Sequence, residues 1–407
     1  MSVRLLRGIS QLVTPDGPGA KHGEAMRRLR VIERAALAMD QGRIVWMGAE
    51  RDWNGFADEV IELGERAVVP GLVDPHTHAI WGGDRLADFE ARCAGATYEE
   101  ILKAGGGIWH TIRETAGRSC DEMAALALPR IQTLVSSGAT TIEVKSGYGY
   151  TAEAELRMLE AVRLLQRQIR ARLVPTLLIH LCPEDASTRL SYRKMVCREL
   201  IPEATRSGLA VAVDIFVEQH AWSAEDAHII LECARLHGLK IKLHTEQFQR
   251  VGGLELGLAM GALSVDHLEA CSVEQCRLFA ASETVATILP GVSLHLGLPA
   301  APGRALIDAG AAVAIGTDLN PGSSPLFSTA GAMSLGVRLN GLTAPEALTA
   351  STINAAAALG LTDGGRLDVG LAANLLVVAS RDWRDLAYTL GQNMVSEVWM
   401  DGERQVI

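Results

Sequence analysis

The stretch Gly71-Leu72-Val73-Asp74-Pro75-His76-Thr77-His78 decides the fold. It starts as an apolar run and ends in two histidines spaced i and i+2. On an extended chain that spacing puts both side chains on one face, so both imidazoles can reach a single metal ion. Strand ends carrying such groups converge at the C-terminal mouth of an α/β barrel.

Working outward, seven further runs of the same kind follow: Thr140–Gly147, Leu173–His180, Ala210–Glu218, Leu239–Thr245, Ala262–Leu268, Thr284–Gly291 and Ala312–Leu319. Near-continuous hydrophobicity suits parallel strands with helices on one side and a filled barrel on the other. Between them, Asp121–Ser137 and Ala152–Ala171 carry apolar residues at helical spacing, and Ser223 and Ser272 are candidate N-caps. Eightfold strand–helix alternation predicts an α/β protein with a (β/α)8 TIM-type barrel, ahead of an open doubly wound sheet.

Both ends of the chain read differently. Ala36–Met39 and Arg43–Met47 flank the turn Asp40-Gln41-Gly42, and Leu375–Val378 and Val395–Met400 are strand-like, with a hairpin signal at Asp401-Gly402. The expected organisation is a small β-sandwich-like domain from residues 1–64 and 365–407 around a barrel of residues 65–364.

Composition supports this and narrows the function. A chain of 407 residues, 48% hydrophobic, can fill a large core. A formal net charge of −10 argues against nonspecific binding to nucleic acid or anionic membrane, and no long apolar run predicts a span. Seven scattered cysteines without a C-x-x-C are neither a disulfide framework nor a thiolate zinc site. The segment Met1–Arg7 lacks the features of a signal peptide, so the expected location is the cytoplasm.

Of eleven histidines, His76, His78, His180, His244 and His267 fall at the same end of different predicted strands, and Asp318 ends the eighth. Nitrogen and carboxylate donors suit zinc or iron rather than magnesium or calcium. Three histidines and one aspartate leave room for a water, whose pKa such a cation lowers from about 16 to roughly 7. Asp318 can touch the metal and accept that water's proton, with His267 orienting the nucleophile or stabilising charge on the substrate oxygen. His22, His110, His220, His228, His237 and His295 are assigned to surface or loops. Gly105-Gly106-Gly107 lacks the lysine of a phosphate loop and reads as a flexible turn. Lys145 reads as a buried ion-pair lysine rather than a metal bridge, and Arg85 as a surface salt bridge or a carboxylate clamp.

With these residues in place, the chain resembles the imidazolonepropionases of the amidohydrolase superfamily. The resemblance rests on His76-Thr77-His78, His244, His267 and Asp318 in order. It also rests on Gly82-Gly83-Asp84-Arg85, Gly95-Ala96-Thr97-Tyr98-Glu99-Glu100, Glu143–Gly149, Ser264–Glu269 and Thr317–Ser324. It implies one zinc or iron ion (Zn2+, Fe2+ or Fe3+) held by His76, His78, His244 and Asp318. The implied reaction is hydrolytic ring opening of 4-imidazolone-5-propanoate to N-formimidoyl-L-glutamate by a metal-activated water, the third step of histidine degradation. Implied substrate contacts are Arg85, Tyr148, His180, Gln247, Asn320, Gly322 and Ser323; catalytic roles fall to Asp318 and His267. A homodimer with a small-molecule substrate is expected.

Two departures stand out. Some relatives have glutamate where this chain has Gln247, and an amide cannot shuttle a proton, so acid–base work falls to Asp318, His267 or the water. Glu246 is not the substitute, because strand alternation points it away. The segment Gly291–Ala301 lacks the aromatic residues and arginine expected after strand seven. Competing readings are a different cyclic amidohydrolase and a non-catalytic metal-binding barrel; a carboxylate-recognising shell and an open metal position argue against them.

Overall fold

The computed structural model describes residues 3–406, apart from the side chains of Tyr98, Glu99 and Leu102, so the Tyr98-Glu99 part of the Gly95–Glu100 motif lies outside the described side chains. Four strands precede the barrel: β1 (Arg4–Pro15), β2 (Leu29–Asp40), β3 (Arg43–Ala49) and β4 (Glu59–Pro70). The barrel strands are β5 (Leu72–Asp74), β6 (Ala139–Lys145), β7 (Arg172–Ile179), β8 (Ala212–Val217), β9 (Lys240–Thr245), β10 (Ser264–His267), β11 (Val285–Ile288) and β12 (Val313–Ile315). Three strands follow: β13 (Leu375–Val378), β14 (Val395–Met400) and β15 (Glu403–Arg404).

The eight barrel strands pair in parallel in sequence order, and an isolated parallel bridge between Thr77 and Leu319 joins the last strand to the first. The fold is the predicted TIM-type barrel. The terminal strands form one continuous mixed sheet of order β15-β14-β13-β4-β1-β2-β3, realising the sandwich-like domain without two separately bonded layers. Within it, β13 pairs with β4 as far as Pro70, and the first barrel strand begins at Leu72.

Local chemistry explains most boundaries. Gln41 and Gly42 both have positive φ, the geometry of the tight turn that matches strand twist, and Asp40 pairs with Arg43 across it. Ser223 and Ser272 cap their helices as expected, accepting from the backbone of Asp226 and Gln275. Cys271 and Cys276 flank the second of these caps and touch at 3.9 Å between sulfurs, in the positions of a hydrophobic staple. The predicted helix Ala152–Ala171 stops at Gln166, whose amide donates to Ala171 O at 3.0 Å and accepts from Leu173 N at 2.7 Å, turning the chain into β7. Among the described residues, no helix is long and apolar enough to cross a membrane.

Glu346 ties the N-terminal segment to the barrel. Fully buried, it accepts from Arg27 at 2.9 Å, from Arg304 at 2.8 and 3.0 Å, and from the Thr343 backbone at 2.7 Å. Burial alone would raise its pKa; Arg304 and Thr343 outweigh this and hold it at about 2. A depressed carboxylate pKa stabilises the fold above the ordinary carboxylate range and loses that contribution as pH falls through the folded value. Glu346→Gln is expected to cost about 2 kcal/mol at neutral pH in urea titrations, with the gap to the parent narrowing as pH drops from roughly 4.5 towards 2.

Candidate active site

The barrel closes through the segments that carry the predicted ligands. Asp318 N donates to His76 O at 2.9 Å, and His78 N donates to Leu319 O at 2.9 Å. Beneath them Asp74, fully buried, accepts from Thr317 N at 3.0 Å and Thr317 Oγ1 at 2.7 Å. His267 and Asp318 both adopt positive φ, +86° and +51°. Such backbone costs on the order of 1 kcal/mol per residue and persists where its surroundings over-determine it.

His76, His78 and His244 each offer a donor atom within 4.8 Å of the others, and His76, His267 and Asp318 form a second such set. All five residues are at most 3% exposed. Asp318 Oδ1 lies 3.3 Å from His76 Nε2 and 3.2 Å from His78 Nε2, while His78 Nε2 and His244 Nε2 are 3.3 Å apart. The tautomers follow from the other ring nitrogens: His76 Nδ1 donates to Asp266 at 2.6 Å and His244 Nδ1 donates to Asp214 at 2.9 Å. Their Nε2 atoms are therefore lone-pair donors. Buried His76 Nε2 and Asp318 Oδ1 have no hydrogen-bond partner. Lone pairs and a carboxylate aimed at one another repel unless a cation lies between them, and this nitrogen–oxygen donor set fits zinc or iron.

Below the histidines lies a buried ion lattice that the sequence reading anticipated only at Lys145. Its ammonium meets Glu143 and Asp214 at 2.6 Å each. Lys242 meets Glu143 at 3.0 Å and Asp266 at 3.6 Å, and donates to Pro75 O at 2.8 Å. Burial opposes the charge on Lys145, but Asp214 and Glu143 raise its pKa; likewise Lys242 and His76 overcome the burial of Asp266 and keep it ionised. Three carboxylates face two ammonium groups, leaving one net negative charge beneath a cation site. The available signal was a charged residue at alternate positions of otherwise apolar strands, as in Thr141-Ile142-Glu143-Val144-Lys145.

Around this floor stand the predicted substrate residues. Glu155, also missed, accepts from the backbone N–H groups of Gly147, Gly149 and Tyr150 at 2.7, 2.7 and 2.9 Å, fixing the loop that holds Tyr148. The Tyr148 ring lies 6.0 Å from that of His78 and its phenol is kept protonated, first by burial and then by Asp318. His180 stacks on His78 at 5.7 Å; burial and His78 push its pKa to about 3, so it is neutral. Asn320 Nδ2 and Ser323 Oγ contact Asp318 Oδ2 at 2.8 and 3.3 Å, so both steady the aspartate. The Arg85 guanidinium lies over Gly322, with Nη1 3.2 Å from where a Cβ would stand.

Gln247 is buried on the segment leaving β9. Glu246 does face elsewhere, though not through strand alternation: its φ is +57°, and the charges that act on it are Glu255 and Glu218. Gly291–Ala301 is no open loop but begins as a helix, Pro290–Leu296, in which His295 stacks on Phe89 and contacts Arg92.

The sequence pattern of the Amidohydrolase family matches residues 67–404. The chain is 57% identical over 404 residues to the imidazolonepropionase of Deinococcus deserti, covering 99% of this chain and 100% of that one. It is 58% identical over 402 residues to the imidazolonepropionase of Deinococcus radiodurans, with 99% of each covered. Its fold is similar to Escherichia coli guanine deaminase, with a TM-score of 0.75 at 17% identity and 99% of each chain covered. A zinc-bound adenosine deaminase from Xanthomonas campestris gives a TM-score of 0.74 at 18% identity, covering 99% of this chain and 93% of that one. With the histidine–aspartate cluster at the barrel mouth and full-length identity well above one half, the chain belongs to the imidazolonepropionase family of amidohydrolases.

Proposed function

We propose that this chain hydrolyses the ring of 4-imidazolone-5-propanoate to N-formimidoyl-L-glutamate, with His76, His78, His244 and Asp318 holding one zinc or iron ion. The observation that carries this is the convergence of unpartnered buried donor atoms beside an arginine that overlies the Asn320–Ser324 turn. When bound, the ion supplies a Lewis acid that acidifies water and polarises the ring carbonyl.

The chain's own residues do the rest. Asp318 accepts the proton of the attacking water, its outer oxygen steadied by Asn320 and Ser323. His267 Nδ1 hydrogen-bonds Glu269 Oε1 at 3.4 Å, which fixes the ring and leaves Nε2 for the substrate oxygen. Protonated Tyr148 and neutral His180 offer hydrogen bonds to the ring without adding charge, and Gln247 does so without moving a proton. Arg85 and the Asn320–Ser323 turn receive the propanoate.

The direct test follows loss of imidazolone absorbance with purified protein, before and after chelation and on returning zinc or iron. Turnover that vanishes on chelation and returns with metal is expected; fully metallated protein without turnover rejects the substrate. His76→Ala is expected to lose metal, whereas His267→Ala keeps it and loses kcat by about 10²- to 10⁴-fold. Lys145→Met is expected to weaken metal affinity by roughly 10- to 100-fold, read by chelator competition, because it unbalances the carboxylates that orient His76 and His244.

A further inference from the structure

The Gly105-Gly106-Gly107 turn and the helix Leu86–Cys93 are not used by the chemistry above, and they meet at one side chain. Asp88 lies on the helix α1 (Leu86–Cys93), and the turn leads into α2 (Ile108–Ala116), which carries Thr111. Arg85 Nε donates to Asp88 Oδ2. The same oxygen accepts from Gly107 N at 2.9 Å, at the start of α2, where a carboxylate is electrostatically favoured. Asp88 Oδ1 presses on Gly106: a Cβ there would stand 2.3 Å from that oxygen and 2.9 Å from Ile101 Cγ2. Gly107, at φ +71° and ψ −170°, occupies backbone space that side chains disfavour. Gly106 and Gly107 thus form a cradle for one carboxylate.

Resting on the reading of Arg85 as the propanoate receptor, the geometry points to Asp88, seated in this cradle, as the positioning residue for that arginine. Asp88 engages Nε, one edge of the guanidinium. The terminal Nη1 lies 3.4 Å from Thr111 Oγ1 and over Gly322, so the end of the fork remains directed at the Asn320–Ser323 turn. An arginine has donors enough for both partners, so Asp88 and a substrate carboxylate bind it together and do not compete. No residue of α1 is buried, so these bonds are not a by-product of core packing. Holding the fork in place before substrate arrives lowers the ordering cost of binding.

The test uses two stable competitive probes on the metallated enzyme, imidazole-4-propanoate and 4-methylimidazole, which lacks the carboxylate. Asp88→Ala is expected to weaken the first by roughly tenfold and leave the second within about twofold, with KM rising far more than kcat falls. Gly106→Ala, which displaces the carboxylate from its cradle, should reproduce this pattern, and Asp88→Asn, which keeps an acceptor, should recover part of the loss. Tighter binding of imidazole-4-propanoate in Asp88→Ala would show that Asp88 competes with the ligand and overturn the inference, as would equal weakening of both probes. Arg85→Met separates the two ideas. If it weakens the propanoate probe while the Asp88 and Gly106 variants do not, only the positioning role fails; if it leaves both probes unchanged, the carboxylate reading of Arg85 fails and the inference with it.

Discussion

Two backbone hydrogen bonds at the barrel seam, from Asp318 N to His76 O and from His78 N to Leu319 O, bind the last strand to the first at the proposed ligands themselves. Closing the sheet and building the site are therefore one event. A barrel has no free edge only if its terminal strands find each other, and here that pairing sets residues 76, 78 and 318 side by side. Asp74, buried under the seam and bonded twice to Thr317, reinforces the register: a slip of one residue would turn the ligands from the mouth into the wall.

What lies below the seam is costly by itself. Five ionised side chains in a dry barrel interior contribute little net stability, because desolvation offsets most of their attraction. Their effect is orientation. Asp266 and Asp214 fix the tautomers of His76 and His244, and Lys145 and Lys242 keep those aspartates charged. Remove the lysines and the carboxylates would favour protonation, the ring N–H donors would lose their acceptors, and the lone pairs would no longer be held towards one point. The lattice orders the proposed ligands rather than supplying folding energy.

The parts legible in the sequence were those governed by local repetition. All eight barrel strands lie where apolar runs placed them, because a strand buried on both sides has little choice of composition. The first is shorter than read: β5 ends at Asp74, since Pro75 has no N–H for the ladder. β1 and β4 were not anticipated. β1 shifts register between Leu6 and Ile9, and Gly64 and Glu65 in β4 have positive φ, so neither strand shows clean alternation. Pro290 was taken into a strand although it opens a helix, a position its fixed φ favours. Arg85 is legible as a substrate contact only through the family resemblance, and Asp88 not at all, because contacts across loops leave no periodic trace.

That difference separates two layers of the molecule. The proposed metal ligands sit on β9 or just past the ends of β5 and β12, and the charges that orient them sit on β6, β8, β9 and β10, where the barrel dictates position; solved structures with under one fifth sequence identity retain the same architecture. The groups assigned to the propanoate sit on the loops above: Arg85 beside α1 and the turn from Asn320 to Ser323. Loops are fixed by a few specific bonds rather than by a repeating pattern, so changing those bonds can redirect substrate choice without disturbing the floor. Fidelity for one cyclic substrate would then depend on how rigidly the loop arginine is held, a matter of few contacts, while hydrolytic capacity depends on the seam and lattice, a matter of many.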